Sequence, residues 1–585
     1  MSAISPTSNE RLRRRTAHAC ETCRIRKTRC DGRSPCKSCV ESQEVCKYRE
    51  APALPKPKGD IVLETLLKLQ AEVAALSQKL DAATSYRPVQ DVDSPGSTSH
   101  TAAIASMTSV ASHDLDAIVP LRHLSATEMF LSWEIFDGVP AIREQFKSVY
   151  QLESQRPPMP IFSSTAFPSI SLETWSNSVD SFGQNVNFWY PALHEARLQG
   201  LWDSLASFTL DGCLALLVVA LGQACMHVED RFSRQGSRRR SNPESDLGTL
   251  CFERAYSMIH NAVSEVSITA MLCLFYTAIY FSYLQRPLQT DFFLNITAHR
   301  CVVMLHYPDP TMPITDYETL RRIFWCCFIL ESDLVVELDK VPQSGCAQME
   351  SQIALPSKFD THSTRDTSDL STLYLLACIS IRRLLNRIHK LLYSKESVTR
   401  MQSVPDMNLI AELAHQLDEW RDVLPPYLQF ELSTQPAQND HQGFLRQRYF
   451  AAKSVIYRPV FNYVVTMNLH GIQPPGIGDA VASAEQCLDA AYLHMTNLRG
   501  FTHTVVIDTW ICALSMTGVA LVLYIAWQTP SLKQKLQEKI GVDRIRNALW
   551  ELKLKIDDMM LTAPEISPSV SQCVSIIEAT RDVIH

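Results

Sequence analysis

The sequence predicts an all-α chain, built from a small cysteine-rich module, a short coiled coil and a large helical domain. Three observations carry that reading. Apolar residues recur at spacings of three and four over long stretches, no sustained alternation of strand type appears, and six cysteines crowd into residues 20–46. With 585 residues, 46% hydrophobic and 20% charged, the chain has the composition of a soluble globular protein with a large core. Its net charge of −7 conceals a division. Residues 1–50 hold 12 Lys/Arg against 6 Asp/Glu, so the remainder carries −13. A basic head on a mildly acidic body suits a module that meets a polyanion.

Residues 1–19 read as a basic disordered tail, with Arg11, Arg13, Arg14 and Arg15 available for phosphate contacts or as a nuclear localisation signal. No signal peptide is expected, because no apolar run follows those charges. The cysteines then form a repeat. Cys20, Cys23 and Cys30, followed by Cys36, Cys39 and Cys46, place C-x2-C-x6-C twice with five residues between. A C-x2-C pair can put two thiolates on one ion. Six thiolates supply the eight bonds of two tetrahedral Zn²⁺ sites if two of them bridge, and Cys20 and Cys36, equivalent in the repeat, are the natural bridges. A disulfide knot, a single four-cysteine site with two spare thiols, or thiol metal storage are the other readings of such spacing. The intervening residues distinguish the halves. Arg24, Arg26, Lys27 and Arg29 fall between Cys23 and Cys30, whereas Glu41 and Glu44 fall between Cys39 and Cys46. Only the first half can approach phosphates. Its four cations are too closely spaced to share one helix face, so some should grip phosphate while one or two reach base edges. Asp31-Gly32 and Pro35 mark the join between the halves as a turn.

The run from Ala19 to Asp31, with Pro35-Cys36-Lys37-Ser38-Cys39 and Cys46 after it, resembles the fungal zinc binuclear cluster (Zn2Cys6) family of transcription regulators. That resemblance implies a six-cysteine module holding two Zn²⁺ ions and setting a short helix in the major groove over CGG-like triplets. It implies that Lys27 and Arg26 contact bases and that Arg24 and Arg29 lie nearer the backbone. It further implies a nuclear regulator of RNA polymerase II genes in a fungus, acting on double-stranded DNA with the transcription machinery. Control of a metabolic or secondary-metabolite pathway is the expected setting.

Pro52, Pro55 and Pro57 make residues 47–60 an extended linker. Val62, Leu66, Leu69, Val73, Leu76 and Leu80 follow at alternating spacings of four and three, a heptad seam over residues 61–80 suited to a homodimer. An ordinary amphipathic helix packed on the body would show the same pattern. Residues 81–120 are polar and Ser/Thr-rich and are expected to form a disordered tether.

From residue 121 the pattern is helical. Thr315 and Glu318 have capping-box spacing, and Leu320, Ile323, Cys327, Leu330 and Leu334 follow at helical intervals. Ile410, Leu413, Leu417, Trp420 and Leu424 repeat the interval before Pro425-Pro426 stops the helix. The uncharged runs 266–285 and 509–532 approach the length of a membrane span, but their helical surroundings favour buried core helices and no membrane partner. Breaks fall at 233–246, with Arg238-Arg239-Arg240-Ser241 as an exposed basic loop, and at 357–371, 431–443 and 470–479. Phosphate-cradling, dinucleotide, nucleophile-elbow and zinc-protease motifs do not occur, so no catalytic residue is assigned and the chain is not expected to be an enzyme. A metal- or thiol-dependent enzyme in the body, and a membrane protein, stand as the alternatives. Cys326-Cys327 reads as core in preference to a redox pair.

The body also resembles the fungal-specific transcription factor domain, or middle homology region, over residues 121–465. The matching segments are Phe188 to His194, Leu214 to Leu217 with Ala220-Leu221-Gly222, Tyr280 to Pro287, Arg321-Arg322-Ile323-Phe324-Trp325, and Tyr457-Arg458-Pro459. Where relatives often carry Asp-Arg, this chain has Glu331-Ser332-Asp333. The resemblance implies a regulatory helical domain that tunes activation, in some members in response to a small-molecule effector. Residues 466–585 are expected to form a C-terminal helical region packed on it.

Overall fold

The computed structural model describes residues 19–47 other than 32, and 125–584 other than 138–139, 144–145, 160–166, 234–245, 339–340, 360–365 and 394–404. The basic arginines of the tail, the linker beyond residue 47, the seam from Val62 to Leu80, the tether and Arg238 to Ser241 lie outside the described residues. The chain divides into two compact units, residues 1–99 and 100–585. Every regular element among the described residues is helical, as the spacing predicts.

The first unit holds two short helices, α1 (Glu21–Ile25) and α2 (Lys37–Glu41). The second opens with α3 (Ala126–Leu131), α4 (Pro140–Arg143), α5 (Val149–Glu153), α6 (Leu172–Phe182) and α7 (Glu195–Gly200). The long core helices follow: α8 (Leu210–Ser233), α9 (Leu247–Ser264), α10 (Ile268–Tyr283), α11 (Pro287–His306) and α12 (Ile314–Glu337). After α13 (Cys346–Met349) come α14 (Asp366–Leu392), α15 (Met407–Asp422), α16 (Asp440–Leu469) and α17 (Ile477–Asn497). The chain ends in α18 (Trp510–Gln528), α19 (Pro530–Lys539), α20 (Val542–Thr562) and α21 (Pro568–Val583).

Two uncharged helices organise this core. All residues of α10 but Ala270's neighbour Thr269 are buried, and α18 is buried from Thr517 to Trp527, so the runs that approach membrane length are interior helices packed against α11, α17 and α21. Leu210–Phe232 also has the length and apolarity to cross a membrane, and it too is mostly buried, between α6, α9 and α10. Gly222 permits the α6 contact, since a Cβ there would collide with the Ser178 carbonyl. Leu320, Ile323, Cys327 and Leu334 of α12 and Ile410, Leu413, Leu417 and Trp420 of α15 are buried, in agreement with their spacing.

The capping box expected at Thr315 and Glu318 does not form. Pro313 precedes the helix without a side-chain cap, and Glu318 turns into the core, where it accepts from Arg322 Nε at 2.9 Å and from the Ser357 backbone N–H at 2.8 Å. A buried guanidinium competes for that carboxylate more strongly than an exposed backbone N–H would. Cys326 and Cys327 are fully buried, and burial pushes both thiols up, so they are packed as protonated core residues. Pro459 sits inside α16 and cannot donate to the Val455 carbonyl one turn back. The Tyr393 hydroxyl takes that place, donating to Val455 O at 2.7 Å.

Candidate metal centre and nucleic-acid interface

The two halves of the head are one backbone design used twice, sixteen residues apart. Cys20 precedes α1 and Cys36 precedes α2, both in extended backbone, and the first helical bonds are Arg24 N–H to Cys20 O and Val40 N–H to Cys36 O, each 3.0 Å. Each helix then closes in the same way. Lys27 and Gln43 donate to Arg24 O and Val40 O at 3.3 Å, and Thr28 and Glu44 donate to Cys23 O and Cys39 O at 3.0 Å. This pair of bonds satisfies the last helical carbonyls and requires a left-handed residue, usually glycine, at the turn. Here Lys27, with φ 51°, and Gln43, with φ 53°, take it. The turn throws the chain back toward Cys30 and Cys46, so the repeat in the sequence produces a repeat in sulfur placement.

The sulfurs converge at the join. Cys20 Sγ lies 3.7 Å from Cys36 Sγ and 3.6 Å from Cys39 Sγ, and Cys23 Sγ lies 3.6 Å and 4.0 Å from the same two. Four sulfurs at about 2.3 Å from a tetrahedral zinc stand about 3.8 Å apart, so this donor set fits the metal. Cys30, Asp31 and Cys36 form a second convergent group, which makes Cys36 common to both. Cys46 Sγ accepts the Cys36 backbone N–H at 3.2 Å, and Cys20 Sγ accepts that of Cys23 at 3.4 Å. Such N–H donors disperse thiolate charge. Cys20, Cys23, Cys30, Cys36 and Cys39 are buried and Cys46 is half-buried. Asp31 Oδ1 accepts from the backbone N–H of Arg33 and Lys37 at 3.3 and 3.2 Å and closes the connecting loop. The two halves are also stitched elsewhere, by Thr22 Oγ1 to Val45 O at 2.7 Å and Glu21 N–H to Lys47 O at 2.8 Å.

All residues from Arg24 to Arg29 are exposed. Arg24 lies in the last turn of α1, Arg26 caps it, Lys27 occupies the left-handed position, and Arg29 lies on the exit toward Cys30. The helix therefore ends before most of the cations, and the turn, more than a helix face, spreads them. Arg24 at the carboxyl end also complements the helix dipole. One residue that spacing does not reveal is Glu44, whose carboxylate lies 3.5 Å from Arg26 Nη1, both about half exposed. An exposed pair of this kind is weak, so Arg26 is loosely held and releasable.

In the body, the position flagged by its departure from the family pattern is a buried charge centre. Asp333 Oδ2 accepts from Arg448 Nη2 at 2.7 Å, Oδ1 accepts from Arg448 Nη1 at 3.1 Å, and Oδ1 also accepts from Arg382 Nη2. Burial alone would raise the Asp333 carboxyl, but the two guanidiniums outweigh it and hold it below the usual range. Glu331 is bonded to Ser344 and pushed up to about 6 by burial.

A cysteine-held binuclear zinc head bearing an exposed cationic segment, in one chain with a large all-helical body, defines a DNA-binding transcription regulator. Residues 18–54 match the fungal Zn(2)-Cys(6) binuclear cluster domain, and residues 179–422 match the fungal specific transcription factor domain. The chain belongs to the Zn2Cys6 fungal transcription factors. It is similar to ecdB of Aspergillus rugulosus, named as a transcription factor, with 25% identity over 489 residues covering 78% of this chain and 80% of that protein. An uncharacterized transcriptional regulatory protein of Schizosaccharomyces pombe is 23% identical over 534 residues, covering 83% and 82%. The head alone is similar to activator of stress genes protein 1 of Candida albicans, 46% identical over 43 residues, or 7% of this chain and 4% of that protein.

Proposed function

We propose that the six cysteines hold two Zn²⁺ ions with Cys20 and Cys36 shared, and that the cations between Cys23 and Cys30 read CGG-like half-sites. Lys27 and Arg26 take the base edges, and Arg24 and Arg29 take phosphates. Zinc supplies rigidity here. The six cysteines, tied to the ions, would hold the two helix–turn units so that the cationic turn is presented in one conformation. The observation that carries this reading is the contrast between two identical backbones: one carries four exposed cations and the other carries Glu41 and Glu44 in the corresponding stretch. The chain acts in the nucleus as a homodimer through Val62, Leu66, Leu69, Val73, Leu76 and Leu80, engages the transcription machinery, and has no catalytic turnover of its own. The body, expected over 121–465 with 466–585 packed against it, tunes that activity.

Selection of bound sequences from random DNA by the purified chain tests this directly. Recovery of paired CGG-like triplets is expected. Lys27→Ala should retain zinc and lose triplet preference by about 1–3 kcal/mol, the range of one good base contact. Equal loss on every sequence would refute the base-contact assignment.

A further inference from the structure

A cavity of about 740 Å³ opens inside the body, lined from α3, α10, α12, α14, α16, α17 and α18. Its volume lies in the range of sites that enclose small organic molecules. Most of the wall is apolar, with Trp133, Ile279, Phe444 and Met516 among its residues. Its charges do not balance. Arg382, Arg448 and Arg458 line it, against Asp333 and Glu337. Asp333 is already shared between Arg382 and Arg448.

Arg458 is the distinctive member. Among the described residues it makes no ion pair; its guanidinium rests over the Phe130 ring at 5.7 Å, and its Nε is buried without a hydrogen-bond partner. Pro459, the next residue, interrupts the backbone bonding of α16, and Tyr393, which repairs the freed Val455 carbonyl, lines the same cavity. The neighbouring His494 supplies no charge, because burial, reinforced by Arg458, pushes it down to about 3. A half-buried guanidinium that borders a mostly apolar space, with no carboxylate among the described residues at ion-pair distance, is stabilised by an anion that enters beside it.

We propose that this cavity binds a monoanionic amphipathic organic acid, with its carboxylate on Arg458 and its apolar body against the Trp133, Ile279, Phe444 and Met516 wall. The site lies in the regulatory body and does not depend on how the head contacts DNA.

Calorimetric titration of the full chain with straight-chain carboxylates of eight to fourteen carbons, each paired with the alcohol of equal length and kept below micelle formation, tests it. At least one acid is expected to bind at one per chain and about 10- to 100-fold more tightly than its alcohol, the range for one charge-assisted hydrogen bond. Arg458→Gln should abolish that preference, and Arg458→Lys should restore part of it. Met516→Trp should weaken acid and alcohol alike by filling the wall, and it serves if Arg458→Gln fails to fold. Equal affinity for acid and alcohol, failure of every acid to bind at millimolar concentration, a preference that survives Arg458→Gln, or acid and alcohol affinities both unchanged by Met516→Trp would overturn the proposal.

Discussion

Replacing Asp333 by Asn keeps the shape of the side chain and removes the charge that the buried Arg382 and Arg448 guanidiniums share. The Arg382 and Arg448 side chains are 7% and 9% exposed and Asp333 is 18% exposed, so water compensates little. Two bonds from Arg448 and one from Arg382 lose their charge assistance, and two cations face each other across a neutral amide. Removing one partner of a buried ion pair costs about 3–5 kcal/mol, and this site, with two cations stranded, belongs at the upper end. That is a large part of the roughly 5–15 kcal/mol that usually separates folded from unfolded chains. The assay is urea unfolding of the full chain followed by both helix circular dichroism and tryptophan fluorescence, which must agree for a single free energy to be meaningful. A double variant, Asp333→Asn with Arg382→Met, should recover at least about 1 kcal/mol by removing one stranded charge. The Asp333 carboxyl is held below its ordinary value, so its contribution is present above the unfolded-state pKa and is lost as pH falls through the folded one. The gap between native and variant should therefore close in acid. A single variant within about 1 kcal/mol of the native chain at neutral pH, or a double variant no more stable than the single, would refute the argument.

Cys23→Ala should destroy the head, with zinc content by elemental analysis falling below two per chain and DNA binding lost; a variant retaining both ions would contradict the ligand set. Glu44→Gln frees Arg26 for its base edge, and the expected outcome is tighter binding to CGG-like DNA by up to about 1 kcal/mol, the worth of one exposed ion pair; an equal gain on every sequence would contradict the base assignment of Arg26. His494 is pushed down to about 3, so between there and its unfolded value of about 6.5 the unfolded chain binds an extra proton and stability falls as pH falls. Native and His494→Gln chains compared by urea unfolding from pH 6 to pH 4 should diverge in slope by about 1.4 kcal/mol per pH unit; parallel curves would show that His494 is not buried as described.

The head was largely legible because its information is local. Cysteine spacing, turn residues and charge all lie within residues 20–46, and the same spacing produces the same helix and turn twice. Apolar periodicity likewise marks the buried faces of α12 and α15, since helix period and burial are one geometric fact. What escaped is what depends on partners distant in the chain. Glu318 has the right offset for a cap, yet Arg322 and Ser357 claim it. The substitution of Glu331-Ser332-Asp333 for the usual pair reads as a departure until Arg382 and Arg448 arrive from α14 and α16. Arg458 was visible within Tyr457-Arg458-Pro459, but nothing nearby in the chain reports that its side chain borders an apolar cavity.

The bond from Glu21 N–H to Lys47 O fastens the outgoing chain beside the amino end of the first helix, while the cations gather at its carboxyl end, about 7 Å away at 1.5 Å per residue. The attachment point and the gripping edge are thus at opposite poles of a very small object. The chain therefore leaves the head, at residue 47, from the end away from the exposed turn of Arg24 to Arg29.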